Sequence, residues 1–152
     1  MTNRIPSQTL MKLQPAVAQN LKAIDETAEK AGLEPRLIML EKLRASQING
    51  CVFCVNMHSR DARKLGDHQE RLDLVPVWRE APCFTARERS ALEWTEALTL
   101  IAQDHVPDET YDAAKAPFTD AEFVGLTAAV IAINSWNRIA VPFRFEVPVR
   151  AA

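Results

Sequence analysis

Cys51, Cys54 and His58 stand at spacings i, i+3 and i+7. On a helix, at about 100° per residue, such positions fall within roughly 60° of one another on a single stripe. Helical side chains lean toward the N-terminus, so the His58 imidazole points back over the preceding turn toward Cys54, where it is a base beside a thiol. The unpaired amides of a first helical turn carry about half a positive charge, and a cysteine there can titrate several units below its free value of about 8.5. The chemistry on offer is that of a thiolate populated at neutral pH. On a regular helix, Cβ atoms three residues apart are about 5–6 Å from each other, whereas a relaxed disulfide needs about 3.5–4.5 Å. Closing the bond is therefore expected to distort the first turn, which suits a pair that cycles better than one that staples.

The elements that must hold these residues read as helices. A run from Pro15 to Ala31 starts with proline at its first position and stops at Gly32; a second starts after Pro35 and ends at Asn49-Gly50; the third, Cys51 to Leu65, opens directly after that break and closes at Gly66. The spacing therefore places both cysteines in the first turn of a helix. Asp67 to Glu80 is less regular, with short helical turns expected around Pro76. Thr85 with Glu88, and Thr119 with Glu122, read as capping boxes that start helices running to about Gln103 and about Ile139. A short helix is expected over Asp108 to Lys115. The last long helix, which includes FVGLTAAVIAIN, is apolar on more than one face and is expected at the centre of the fold or at a subunit interface. Residues 1–14 read as an N-terminal arm and 141–152 as an extended tail, both attached to a single domain spanning 1–152.

Composition agrees with an all-α reading. The chain has 152 residues, 47% hydrophobic and 25% charged, with only 4 glycines and 1 tyrosine to supply the turns and aromatic strands of a β fold. A net charge of −2 offers no basic field, so no nucleic-acid partner is expected. No stretch resembles a membrane span or a secretory signal, and the expected location is the cytoplasm. Three cysteines are too few for a disulfide scaffold.

Other readings of the pair stay open. Cys51 and Cys54 could be two small hydrophobes on a core-facing stripe, or half of a structural zinc site whose other candidates, Cys83, His68 and His105, are isolated. No metal or other cofactor is expected. His68 and His105 read as solvated surface residues, Cys83 as a partly buried small side chain, and Trp78, Trp94 and Trp136 as core aromatics. Asn134 and Asn137 could meet a substrate or satisfy their neighbours. Glu41, Glu93 and Asp104 read as single acids on helical surfaces.

The string LRASQINGCVFCVNMHSRDARKLG, from Leu43 to Gly66, resembles the core of the carboxymuconolactone decarboxylase-like superfamily, specifically its AhpD-like alkylhydroperoxidase branch. The likeness extends through Pro82 to Thr99 and from Phe118 through INSWNR. The resemblance implies an AhpD-like bundle of about six to seven helices, assembled as a dimer, trimer or hexamer. It implies peroxide reduction in which Cys54 attacks and becomes a sulfenic acid, Cys51 resolves it as a disulfide, and His58 relays protons. The implied reductant is a dithiol, dihydrolipoamide or a thioredoxin-like protein. Two positions depart from the pattern: Met39 stands where peroxidase members carry a glutamate twelve residues before the first cysteine, and Phe53 stands where some carry a histidine. These departures keep a slow redox sensor in view as a second reading. A lactone decarboxylase that works without the cysteines is a third.

Overall fold

The computed structural model describes residues 4–148, and these form nine α-helices, one 3-10 turn and no strand. The helices are α1 (Ser7–Leu13), α2 (Pro15–Lys30), α3 (Pro35–Ile48), α4 (Val52–Lys64), α5 (Gln69–Asp73), α6 (Ala86–Thr99), α7 (Ile101–Asp104), α8 (Asp108–Lys115) and α9 (Asp120–Ala140), with the 3-10 turn at Val75–Val77. The all-α expectation holds. The helices outnumber the expected six to seven because short ones occupy places where apolar periodicity is too brief to register. α1 lies inside the segment read as an arm, and the helix expected to reach Gln103 breaks at Leu100 (φ −103°, ψ 21°) before α7. Residues 1–3 of the arm and 149–152 of the tail lie outside the described residues. The described part of the tail corrects the extended reading: Val141–Arg144 is a turn, and Arg144 at φ 47° directs Phe145 back onto the body of the protein.

Each expected punctuation mark is present. Gly32, Gly50 and Gly66 have φ of 89°, 66° and 87°, the left-handed region in which a Cβ is strained. Both capping boxes are complete, with Thr85 and Thr119 accepting from the amides of Glu88 and Glu122 while those carboxylates accept from the threonine amides. Such caps satisfy amides that the helix itself leaves unpaired.

α9 runs through the centre, packing along α2 and across α3 and α6. Gly125 is what allows the approach to α2: a Cβ there would stand 2.6 Å from the Cβ of Ala31. One face of α9, including Leu126, Ala129, Val130 and Ile133, is buried, while Val124 and Ile131 on another face are exposed. The buried apolar residues form three clusters, and the third is the one that matters for chemistry. It joins Ala45 of α3, Cys51 and Cys54 at the start of α4, and Ile133 and Ala140 of α9. No single helix among the described residues is long and apolar enough to cross a membrane.

Candidate functional site

Cys51 is the N-cap of α4. Its backbone is extended (φ −84°, ψ 91°), so it has left the helical spiral, and its sulfur turns back to accept the Cys54 amide at 3.3 Å. The single-stripe expectation therefore holds for Cys54 and His58, four residues apart on α4, and is corrected for Cys51. The regular-helix spacing that foretold a distorted first turn does not apply to a residue outside the helix. Both cysteines are free and, like His58, buried.

The N-cap geometry ranks the two thiols. Cys51 is pushed down to about 7, first because the Cys54 thiol donates to its sulfur, with further help from the amides of Cys54 and Phe53 and the Asn137 side chain; burial opposes. Cys54 is pushed up, because its proton is engaged by Cys51 and because it is buried. The first proton to leave the pair therefore comes from Cys51, a thiolate in a nest of donors. His58 is pushed down to about 4, mainly by burial and then by the charge of Lys42, with Asp61 opposing. Its imidazole is neutral at neutral pH and can only accept a proton.

Cys54 and His58, but not Cys51, line a cavity of about 310 Å³. Its walls are mostly apolar: Phe53 and Met57 of α4, Ile133, Trp136 and Ala140 of α9, and Phe145 from beyond the turn. Phe53 and Phe145 meet edge to face at 5.4 Å. Lys42 of α3 and Asp25 of α2 supply the remaining lining, joined by an ion pair of 2.7 Å. Neither nitrogen of His58 has a hydrogen-bond partner among the described residues, and the same is true of Asp25 Oδ1 and both carboxylate oxygens of Glu41.

Several expectations are settled here. Asn134 and Asn137 serve their neighbours: Asn137 donates to Ser46 at 3.1 Å, Asn49 donates to both Asn134 and Asn137, and Asn134 donates to Thr99. These bonds tie the end of α3 to α9 and so fix where the chain enters α4. Trp78 and Trp94 are core residues, whereas Trp136 borders the cavity. His68 and His105 are exposed. Cys83 is exposed, which corrects its reading as partly buried. It lines a separate groove with Arg36, Arg71 and Arg87. Met39 packs between two of the apolar clusters. Among the described residues no three His, Cys, Asp or Glu side chains are grouped to hold a metal ion.

Glu41 overturns its surface reading, since it is fully buried. Burial holds its carboxyl well above the usual range, the nearby Asp25 adds to this, and Lys42 opposes. Below about pH 4.5 the group is protonated in both folded and unfolded chains; above it only the unfolded chain ionises freely, so its contribution to stability is lost as pH rises toward the folded value. Glu41→Gln is therefore expected to raise the melting temperature relative to the parent near pH 8 and to change it little near pH 4. Equal effects at both pH values would contradict the buried, protonated carboxyl. Asp25 and Lys42 were missed as site residues, and Glu41, the acid nearest the position of Met39, does not line the cavity. The available signal was that Lys42 precedes Ser46 and Asn49 by four and seven residues on α3, the stripe that bonds α9.

Comparison with known proteins gives consistent findings. The profile of the carboxymuconolactone decarboxylase family matches residues 15–97. The chain is 43% identical to the crystal structure of a protein of unknown function from Agrobacterium tumefaciens, proposed to be the antioxidant defence protein AhpD. The two superpose with a TM-score of 0.88 over 98% of this chain and 100% of that one. The uncharacterized protein YdfG of Bacillus subtilis is 41% identical over 102 residues, 67% of this chain and 69% of that protein. The debrominase Bmp8 shares the fold at 15% identity, with a TM-score of 0.78 over 90% of this chain and 74% of that one.

Proposed function

The chain belongs to the carboxymuconolactone decarboxylase family, and from that membership we propose that it reduces apolar organic hydroperoxides through the Cys51–Cys54 pair. The observation that carries the reading is that Cys54 and His58 open onto an apolar cavity while Cys51, the more acidic thiol, sits behind Cys54 within hydrogen-bond reach. In the proposed cycle the Cys54 thiol turns from Cys51 to the unpartnered His58 imidazole and gives it its proton as the sulfur attacks the terminal peroxide oxygen. The O–O bond breaks, and His58 returns the proton to the departing alkoxide, giving an alcohol and a Cys54 sulfenic acid. The Cys51 thiolate then attacks the Cys54 sulfur, forming the disulfide and expelling hydroxide, which solvent protonates to water. A dithiol donor reduces the disulfide and becomes oxidised in turn. The apolar walls favour an alkyl or aryl peroxide over hydrogen peroxide.

The same reading carries self-association, supported by the exposed Val124 and Ile131 on α9. A second reading, a redox sensor that oxidises once, draws on the burial of both cysteines, 1% and 2% exposed, and on Met39, half-buried against the core. Cumene hydroperoxide consumption with excess dithiothreitol separates the two. Continuous turnover at catalytic protein concentration is expected, and a stop after one equivalent per chain would favour the sensor.

A further inference from the structure

The cavity's polar lining is more specific than the cysteine chemistry requires. Lys42 and Asp25 come from different helices and meet at 2.7 Å through Asp25 Oδ2. The Lys42 side chain is 9% exposed and that of Asp25 29%. Removing an ammonium and a carboxylate from water is costly unless their remaining hydrogen-bonding capacity finds partners. Here part of that capacity is left over on two residues that line the cavity. Asp25 Oδ1 is buried without a partner among the described residues, and an ammonium has three N–H donors of which Asp25 takes one. Beside them His58, 6% exposed, presents two unpartnered nitrogens.

We propose that the Lys42–Asp25 pair is the recognition site for the hydroxyl or hydroperoxyl head of an uncharged, otherwise apolar ligand, and that it sets the specificity of the cavity. The inference rests on the reading of this cavity as the peroxide site. The chemistry follows from what the pair offers. Its net charge is zero, and it presents a donor and an acceptor side by side. An –OOH or –OH group donates and accepts through adjacent atoms, so its hydrogen goes to Asp25 Oδ1 while its oxygen takes a Lys42 N–H. A carboxylate ligand would bring an unbalanced charge among Phe53, Trp136 and Phe145 and would meet the Asp25 carboxylate. A pure hydrocarbon would leave both charged groups without further partners. Lys42 and Asp25 are thus positioning residues: they hold the peroxide end of the substrate beside Cys54, while the apolar walls take its organic part.

The test reads binding without turnover. NMR titrations of the reduced chain, following the Trp136 indole N–H, compare 2-phenyl-2-propanol with its isostere tert-butylbenzene. Breaking one partner of an ion pair with one side buried destabilises, whereas replacing both with apolar groups is often neutral, so the main variant is Asp25→Leu combined with Lys42→Met. The alcohol-to-hydrocarbon affinity ratio is expected to fall about tenfold or more in that variant, with hydrocarbon binding retained. Asp25→Asn, which keeps the shape, should lower the ratio in the same direction. An unchanged ratio in the folded variants, or no binding of the alcohol by the parent, overturns the proposal. A parent that shows the ratio change but does not consume peroxide keeps this inference and loses the peroxidase reading; an active enzyme with an unchanged ratio loses only the inference.

Discussion

Cys54→Ser is expected to lower peroxide consumption at least about a thousandfold, because serine at this position retains neither a thiolate nor a sulfur that can carry the oxidised state. Cys51→Ser should behave differently. It leaves the attacking sulfur facing the cavity and removes the resolving one, so one equivalent of peroxide is consumed and the reaction stalls with a sulfenic acid on Cys54, detectable as a dimedone adduct. The asymmetry is the informative part. Cys51 has the lower thiol value, about 7, through its N-cap position and the donors around it, while Cys54 has the access. Acidity alone would make Cys51 the attacking residue, but it does not border the cavity, whereas Cys54 does. If Cys51→Ser formed no adduct on Cys54 while Cys54→Ser still consumed one equivalent with an adduct on Cys51, acidity would have outweighed access and the assigned order would be reversed.

His58→Gln should slow the peroxide reaction by about a hundredfold or more, the usual worth of a positioned base. Its pH signature follows from burial. A base acts in its neutral form, and His58, pushed down from 6.5 to about 4, keeps that form well below the usual histidine range. The ratio of parent to His58→Gln rates is therefore expected to stay level from pH 8 down to about 5 and to shrink only toward 4. A ratio that fades near 6.5 would mean the imidazole is solvated, and an unchanged rate would remove it from the mechanism.

Much of this site was legible because helical periodicity is a local property. Cys54 and His58 share a stripe of α4 for the reason their spacing gives, and Asn49-Gly50 ends α3 where its left-handed preference requires. The two capping boxes work through bonds between residues three apart, so sequence alone exposes them. What could not be read depends on how helices face one another. Asp25 and Lys42 are seventeen residues apart and meet only because α2 and α3 present them to the same cavity. Glu41 looked like a surface acid because single acids on helices usually are, whereas α3 is enclosed on nearly every side and takes the carboxyl inside with Leu40 and Leu43. Phe145 closes part of the cavity through a turn at Val141–Arg144 that two nearby prolines made look extended. A helix boundary error of one residue, with Cys51 as cap instead of first-turn residue, changed its backbone, its donors and its acidity together.

Mass spectrometry of the three cysteines after one equivalent of cumene hydroperoxide, added to the fully reduced chain without donor, reads out which sulfurs the peroxide oxidises. An intramolecular Cys51–Cys54 disulfide is expected in nearly every chain, with exposed Cys83 still a free thiol. Oxidation confined to Cys83, with Cys51 and Cys54 remaining reduced, would contradict the proposed cycle.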